Sequence, residues 1–165
     1  MKKFILLFIL IPNISLAASM SMIGEKGKLS EVDRVIEVKM YDNFYEPNEI
    51  KIKKGETIKF KVYNFGELVH EFNIATKKMH LKHQPEMVKL VENEILLADK
   101  IDKKKMKEMA KKDHSMAHAH SNSVLLEPNK KGELIWKFNT DATLEAACNV
   151  PGHYEAGMIS NFLRF

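Results

Sequence analysis

The feature that most constrains this chain is a series of short apolar alternations with a period of two. Ile36, Val38 and Met40 alternate with polar neighbours, as do Ile50 and Ile52, then Ile58, Phe60 and Val62, then Leu68, His70, Phe72 and Ile74. Successive side chains of a strand point to opposite faces, so each run reads as a short strand with one apolar face. Pro47-Asn48, Lys54-Gly55 and the stretch from Asn64 to Glu67 break the runs. The pattern returns with Val124 and Leu126, continues through Leu134, Trp136 and Phe138 beyond a turn at Pro128 to Gly132, and ends in the run Ile159 to Phe165. Seven or so short strands at this spacing predict an all-β sandwich. With 45% hydrophobic and 29% charged residues, the composition excludes a disordered polymer and a multi-span membrane protein.

Between Thr76 and Ser121 the period changes. Met87, Leu90, Val91, Ile95, Leu97, Ala98 and Ile101 recur at helical spacing, with Pro85-Glu86 as a first turn, and Asp102 caps a second helix through Met106 and Met109. The expectation is a helical insertion over about residues 76–121, far longer than an ordinary connection between strands. It carries eleven Lys, seven acidic residues, five His and five Met.

Residues 1–17 read as a signal peptide. Met1-Lys2-Lys3 is a basic start, Phe4 to Ile11 an unbroken apolar run, and Ser15-Leu16-Ala17 a small-residue exit. The run is shorter than the roughly 20 residues that span a bilayer, and no later segment approaches that length, so a mature domain over 18–165 is expected in the periplasm without a membrane span. Loss of Lys2 and Lys3, with no acidic residue in the leader, lowers the formal charge from +4 to +2, too weak for a nucleic-acid footprint. In an exported chain the lone Cys148 has no intramolecular partner. It is a buried inert thiol, an intermolecular disulfide or a metal-bound thiolate.

The stretch Cys148-Asn149-Val150-Pro151-Gly152-His153-Tyr154-Glu155-Ala156-Gly157-Met158 favours the last. It is a Cys-x4-His-x4-Met series between the strand-like run Thr143 to Ala147 and the terminal strand. Pro151-Gly152 lets the backbone turn back sharply, so a thiolate, an imidazole and a thioether can face one centre. His70, on the Leu68, Phe72 and Ile74 face of a strand, is the best fourth ligand. Two imidazoles, a thiolate and a weak axial thioether suit copper cycling between +1 and +2, whereas structural zinc sites use four Cys or His ligands and no Met. Cys148 and His153 lack the third partner of a nucleophilic triad. Tyr154 and Glu155 read as packing and surface residues.

These residues resemble the cupredoxin family, the plastocyanin and azurin-like type 1 copper proteins, over about 34–75 and 122–165. The resemblance implies an eight-stranded Greek-key β-sandwich with the helical insertion outside the shared core. It also implies one type 1 copper near one end, bound by His70, Cys148 and His153 with Met158 as axial ligand. Glu71 stands where plastocyanin-like members often carry Asn. The insertion and the Pro-Gly-His-Tyr-Glu-Ala-Gly-Met loop look most like the periplasmic copper-tolerance cupredoxins of Gram-negative bacteria.

A second group, Met79, His80, His83 and Met87 before the first helix and His114, Met116, His118 and His120 after the second, forms a candidate set of additional, weaker copper ligands. Met20 and Met22, at the expected mature N-terminus, are thinner candidates. The functional expectation is a protein that binds or redox-handles copper in copper tolerance, with copper ions and a periplasmic redox partner or copper-exporting system as partners. The alternative is a soluble periplasmic electron carrier. An enzyme would need a second, catalytic copper on a three-histidine cluster, and none is evident along the sequence, so no enzymatic activity is expected.

Overall fold

A computed structural model describes residues 22–165; the leader, its exit at Ala17 and Met20 lie outside the described residues. Ten strands occur among them: β1 (Glu25–Lys26), β2 (Arg34–Tyr41), β3 (Phe44–Glu46), β4 (Glu49–Ile52), β5 (Thr57–Asn64), β6 (His70–Ala75), β7 (Ser123–Leu126), β8 (Lys131–Lys137), β9 (Glu145–Ala147) and β10 (Ile159–Arg164). They form two five-stranded sheets, ordered β1-β8-β5-β2-β3 and β4-β10-β9-β6-β7. Pairing is antiparallel except for β2 with β5 and β4 with β10. This is a two-layer sandwich as expected, with β1 and β3 as short additions too brief for a period-two signal.

The alternating residues meet between the sheets. Val38, Met40, Ile58, Phe60, Val62 and Trp136 from one layer pack on Phe72, Ile74, Ala146 and Phe162 from the other, and all are buried. Removing this apolar surface from water is the main stabilising term. β6 departs from the expected alternation, since all six of its residues are buried, including Glu71 and Asn73. The cause is the insertion, which covers the outer face of the β6 and β7 edge.

That insertion contains α1 (Lys77–Glu92) and α2 (Lys103–Met109). The expected first turn at Pro85-Glu86 is corrected: α1 starts eight residues earlier, where Thr76 Oγ1 accepts a hydrogen bond from the Met79 N–H at 3.3 Å, and Pro85 lies inside the helix. An interior proline costs about 3 kcal/mol. Burial of His80, Met87 and Leu90 along one helical face offsets it. The apolar series beyond Glu92 is not helical; Leu96 and Ile101 bridge each other, while Val91 and Leu97 are exposed. α2 begins as expected at Asp102, whose Oδ1 accepts from the Lys105 N–H. Val69, Met87, Leu90, Ile95, Leu96, Ile101 and Met116 make a second apolar cluster, joined by Met106, Met109, Leu125 and Val150. The insertion is therefore a packed layer on the sandwich. No helix among the described residues is long and apolar enough to cross a membrane.

Candidate metal centre

His70 opens β6 on the face that carries Phe72 and Ile74 into the core, and Cys148 follows β9, the neighbouring strand. The loop from Cys148 to Met158 then folds as successive turns. The His153 N–H donates to Val150 O and the Met158 N–H to His153 O, both at 3.0 Å, and the Cys148 N–H donates to Met158 O at 3.2 Å, closing the loop at its base. Gly152 and Gly157 adopt φ values of 88° and 87°, a left-handed backbone that side chains with a Cβ rarely take, so the expected sharp reversal at Pro151-Gly152 is supplied by glycine.

This folding brings three donors together at the end of the sandwich. Cys148 Sγ lies 3.3 Å from His153 Nδ1 and 3.9 Å from His70 Nδ1, and the two Nδ1 atoms are 3.2 Å apart. Met158 is fully buried at the end of the same loop, tied by its backbone to both Cys148 and His153. Cys148 and His70 are wholly buried, and His153 forms the partly exposed edge.

Electrostatics prepare the nitrogens and oppose the bare sulfur. Asp42 Oδ1 lies 2.8 Å from His70 Nε2 and is fixed by the N–H groups of Glu67 and Leu68 at 3.1 and 3.3 Å. The Nε2–H donating to this carboxylate leaves the Nδ1 lone pair facing the thiol, the orientation that a carboxylate partner gives a ligating imidazole. Burial lowers the His70 pKa, with Asp42 pulling the other way, and burial and the neighbouring His70 lower that of His153, so both rings are neutral at neutral pH. Burial pushes the Cys148 thiol up to about 12 even though the Glu71 N–H donates to Sγ at 3.3 Å. A thiol in this position has no disulfide partner among the described residues and stays protonated until a metal ion replaces its proton. Thiolate, two imidazoles and a buried thioether are the donors that suit copper.

Glu71 serves both faces of β6. Its N–H faces Cys148, while its carboxylate turns to the outer face and accepts from Asn149 Nδ2 at 2.7 Å, Ser123 Oγ at 2.5 Å and His118 Nε2 at 2.9 Å. Burial would raise its pKa, but His118 and His83 outweigh that and hold it well below the usual carboxylate range. Asn149 Oδ1 in turn meets His80 Nδ1 at 3.2 Å.

The second set of candidates divides. His83, His118 and His120 converge, each with a possible donor atom within 4.8 Å of the others. The others do not join them. His80 is buried against Asn149 and Glu145, Met79 packs on the main core, Met116 sits in the apolar cluster of the insertion, and His114 is exposed in the 3-10 turn His114–Ala117. Met87 is core as well. The absence of a three-histidine cluster expected from sequence is thus corrected, because α2 and the turns after it return the chain to the face of α1 that carries His83. Asp42, Glu86 and Asn149 were not singled out as site residues, and Glu71 only as standing where plastocyanin-like chains often carry Asn. Only Glu86, three residues after His83 on a helix, offered a spacing signal.

The chain matches the family described as "Cupredoxin-like domain" over residues 13–155. It is 41% identical to the copper-resistant cuproprotein CopI of Pseudomonas aeruginosa over 150 residues, 82% of this chain and 78% of that one. It is 28% identical to the proteins of the same name from Rubrivivax gelatinosus and Vibrio cholerae, covering 82% and 86% of this chain and 69% and 72% of theirs. Among solved structures, it superposes on dithionite-reduced auracyanin from Roseiflexus castenholzii with a TM-score of 0.57 at 17% identity, covering 81% of this chain and 98% of that one. Auracyanin B aligns with a TM-score of 0.59 at 12% identity, over 86% and 96%. These last likenesses are of fold.

Proposed function

This chain belongs to the cupredoxin-like family, and from that premise we propose that it is a periplasmic type 1 copper protein that acts in copper tolerance by binding copper and handling its redox state. The observation that carries the reading is the convergence of His70 Nδ1 and His153 Nδ1 on the buried Cys148 Sγ. The 41% identical relative, named a copper-resistant cuproprotein, supports the tolerance role.

Bound copper supplies a one-electron couple between its +1 and +2 states. The chain's own residues do the rest. Asp42 holds His70 in one tautomer and one orientation, and the Glu71 N–H stabilises charge on the Cys148 sulfur. Met158, buried at the base of the loop, would add a weak thioether donor to the ion. Burial of Cys148 and His70 keeps water away, and the paired strands β6, β9 and β10 hold the donors in place whichever charge the ion carries.

The electron-carrier reading is favoured by one observation. Phe44 and Phe65 are more than half exposed and stack on Tyr41 at 4.7 and 6.0 Å, forming an aromatic patch beside Asp42 where a redox partner could dock. Expression in a strain lacking the gene tests both. Wild type should restore growth on copper and Cys148→Ser should not, while Phe44→Ser with Phe65→Ser should protect like wild type. Protection by Cys148→Ser would refute the core site as the source of tolerance, and loss of protection in the aromatic variant would put the carrier ahead.

A further inference from the structure

The three histidines outside the core site form a compact triangle. His83 comes from α1 and His118 and His120 from the segment before β7, yet their ring centroids lie 4.9 to 5.4 Å apart. Two carboxylates alternate with them. Glu71 Oε1 is 2.9 Å from His118 Nε2, and Glu86 reaches His83 Nδ1 at 3.2 Å and His120 Nε2 at 2.9 Å. His83 Nε2 is buried and lacks a hydrogen-bond partner, because Glu71 Oε1, 3.4 Å away, is out of line. A buried polar atom left open among other nitrogen donors points to an ion.

We propose that His83, His118 and His120 form a second metal site, specific for a divalent cation and preferring cupric copper to zinc. The donors are imidazole nitrogens with carboxylate oxygens at their backs. No thioether joins them, since Met79 and Met116 pack in the two apolar cores, so the soft-ligand selection of cuprous copper is missing. Two carboxylates, one of them wholly buried, carry two negative charges that a divalent ion held by the three rings would offset. Their hydrogen bonds also orient the rings, as carboxylates commonly do behind ligating histidines. The order cupric above zinc follows the general affinity series for nitrogen and oxygen sites. Glu71 places this site next to the core one, with its carboxylate in the cluster and its N–H on Cys148 Sγ. The proposal shares the copper reading above but uses none of the core ligands.

Metal-free full-length protein, titrated with Cu²⁺ and followed by optical and electron paramagnetic resonance spectra, tests it. Wild type should bind two equivalents, one coloured and one colourless with the wide hyperfine splitting of a nitrogen site. His120→Ala, altered at the more exposed corner, and His83→Ala should keep the full colour and lose the second equivalent. Cys148→Ser should bind one colourless equivalent, and excess Zn²⁺ should occupy that site only when Cu²⁺ is absent. A single, coloured equivalent in wild type, two in His120→Ala and His83→Ala, or none in Cys148→Ser would overturn the second site. A wild type that binds colourless copper alone would overturn the core reading while leaving the second site standing, so the two fail separately.

Discussion

Copper loading of the core should release one proton per coloured site, and its affinity should rise tenfold per pH unit between about pH 7 and 9. The thiolate is the ligand, and burial pushes the Cys148 thiol up to about 12, so its proton must leave on binding. His70 and His153 are lowered by burial and are already neutral in this window, so they release none. One proton corresponds to about 1.4 kcal/mol of binding free energy per pH unit. The same shift has a sign for the metal-free protein. Its folded pKa lies above the ordinary thiol value of 9.0, so the associated stability is present below pH 9 and is lost as pH rises toward 12, about 4 kcal/mol in all. Proton release can be counted with an indicator dye in weakly buffered solution as the charge-transfer band grows, using His120→Ala to remove the cluster. Two or more protons per site would mean that the imidazoles are protonated before loading. None would mean an already ionised thiol, and either result would refute this electrostatic description.

Gly66→Ala should disturb the core without replacing a ligand, because a Cβ there would collide with Asp42 Oδ1 and stand 2.7 Å from His70 Nε2. Copper affinity should fall by about 10- to 100-fold, the usual cost of losing the partner behind a ligating histidine, as read by competition with a chelator. Met158→Leu should keep copper and colour while raising the reduction potential measured by voltammetry, since a weak donor that favours Cu(II) is lost and the site becomes drier. Complete loss of copper from Met158→Leu would make Met158 a principal ligand.

The sandwich and the convergence of His70, Cys148 and His153 were legible because the signals are local. Alternation marks which face of β6 carries His70, and the Cys148 to Met158 spacing keeps three donors on one loop. What escaped was non-local. Glu71 reads as the polar side of an alternating strand, and its burial follows only from the insertion packed over β6. Asp42 sits in a turn whose sequence carries no hint that His70 lies 2.8 Å away. Pro85 suggested a helix start because proline is favoured in a first turn, but the Thr76 cap and the buried face of α1 override it. The histidine triangle was invisible as a unit, since His83 meets His118 and His120 only after the chain has passed through α2. That packing also makes point substitutions better probes than excising the insertion, which would uncover Val69, Leu125 and Val150.

The most direct test of the core assignment is the visible absorption spectrum of copper-loaded protein beside that of Cys148→Ser. With thiolate bound to Cu(II), wild type should show an intense charge-transfer band that disappears in Cys148→Ser, even where the variant still carries copper at His83, His118 and His120. An equally intense band in Cys148→Ser, or a colourless wild type with Cu(II) bound, would contradict a copper centre built on Cys148, His70 and His153.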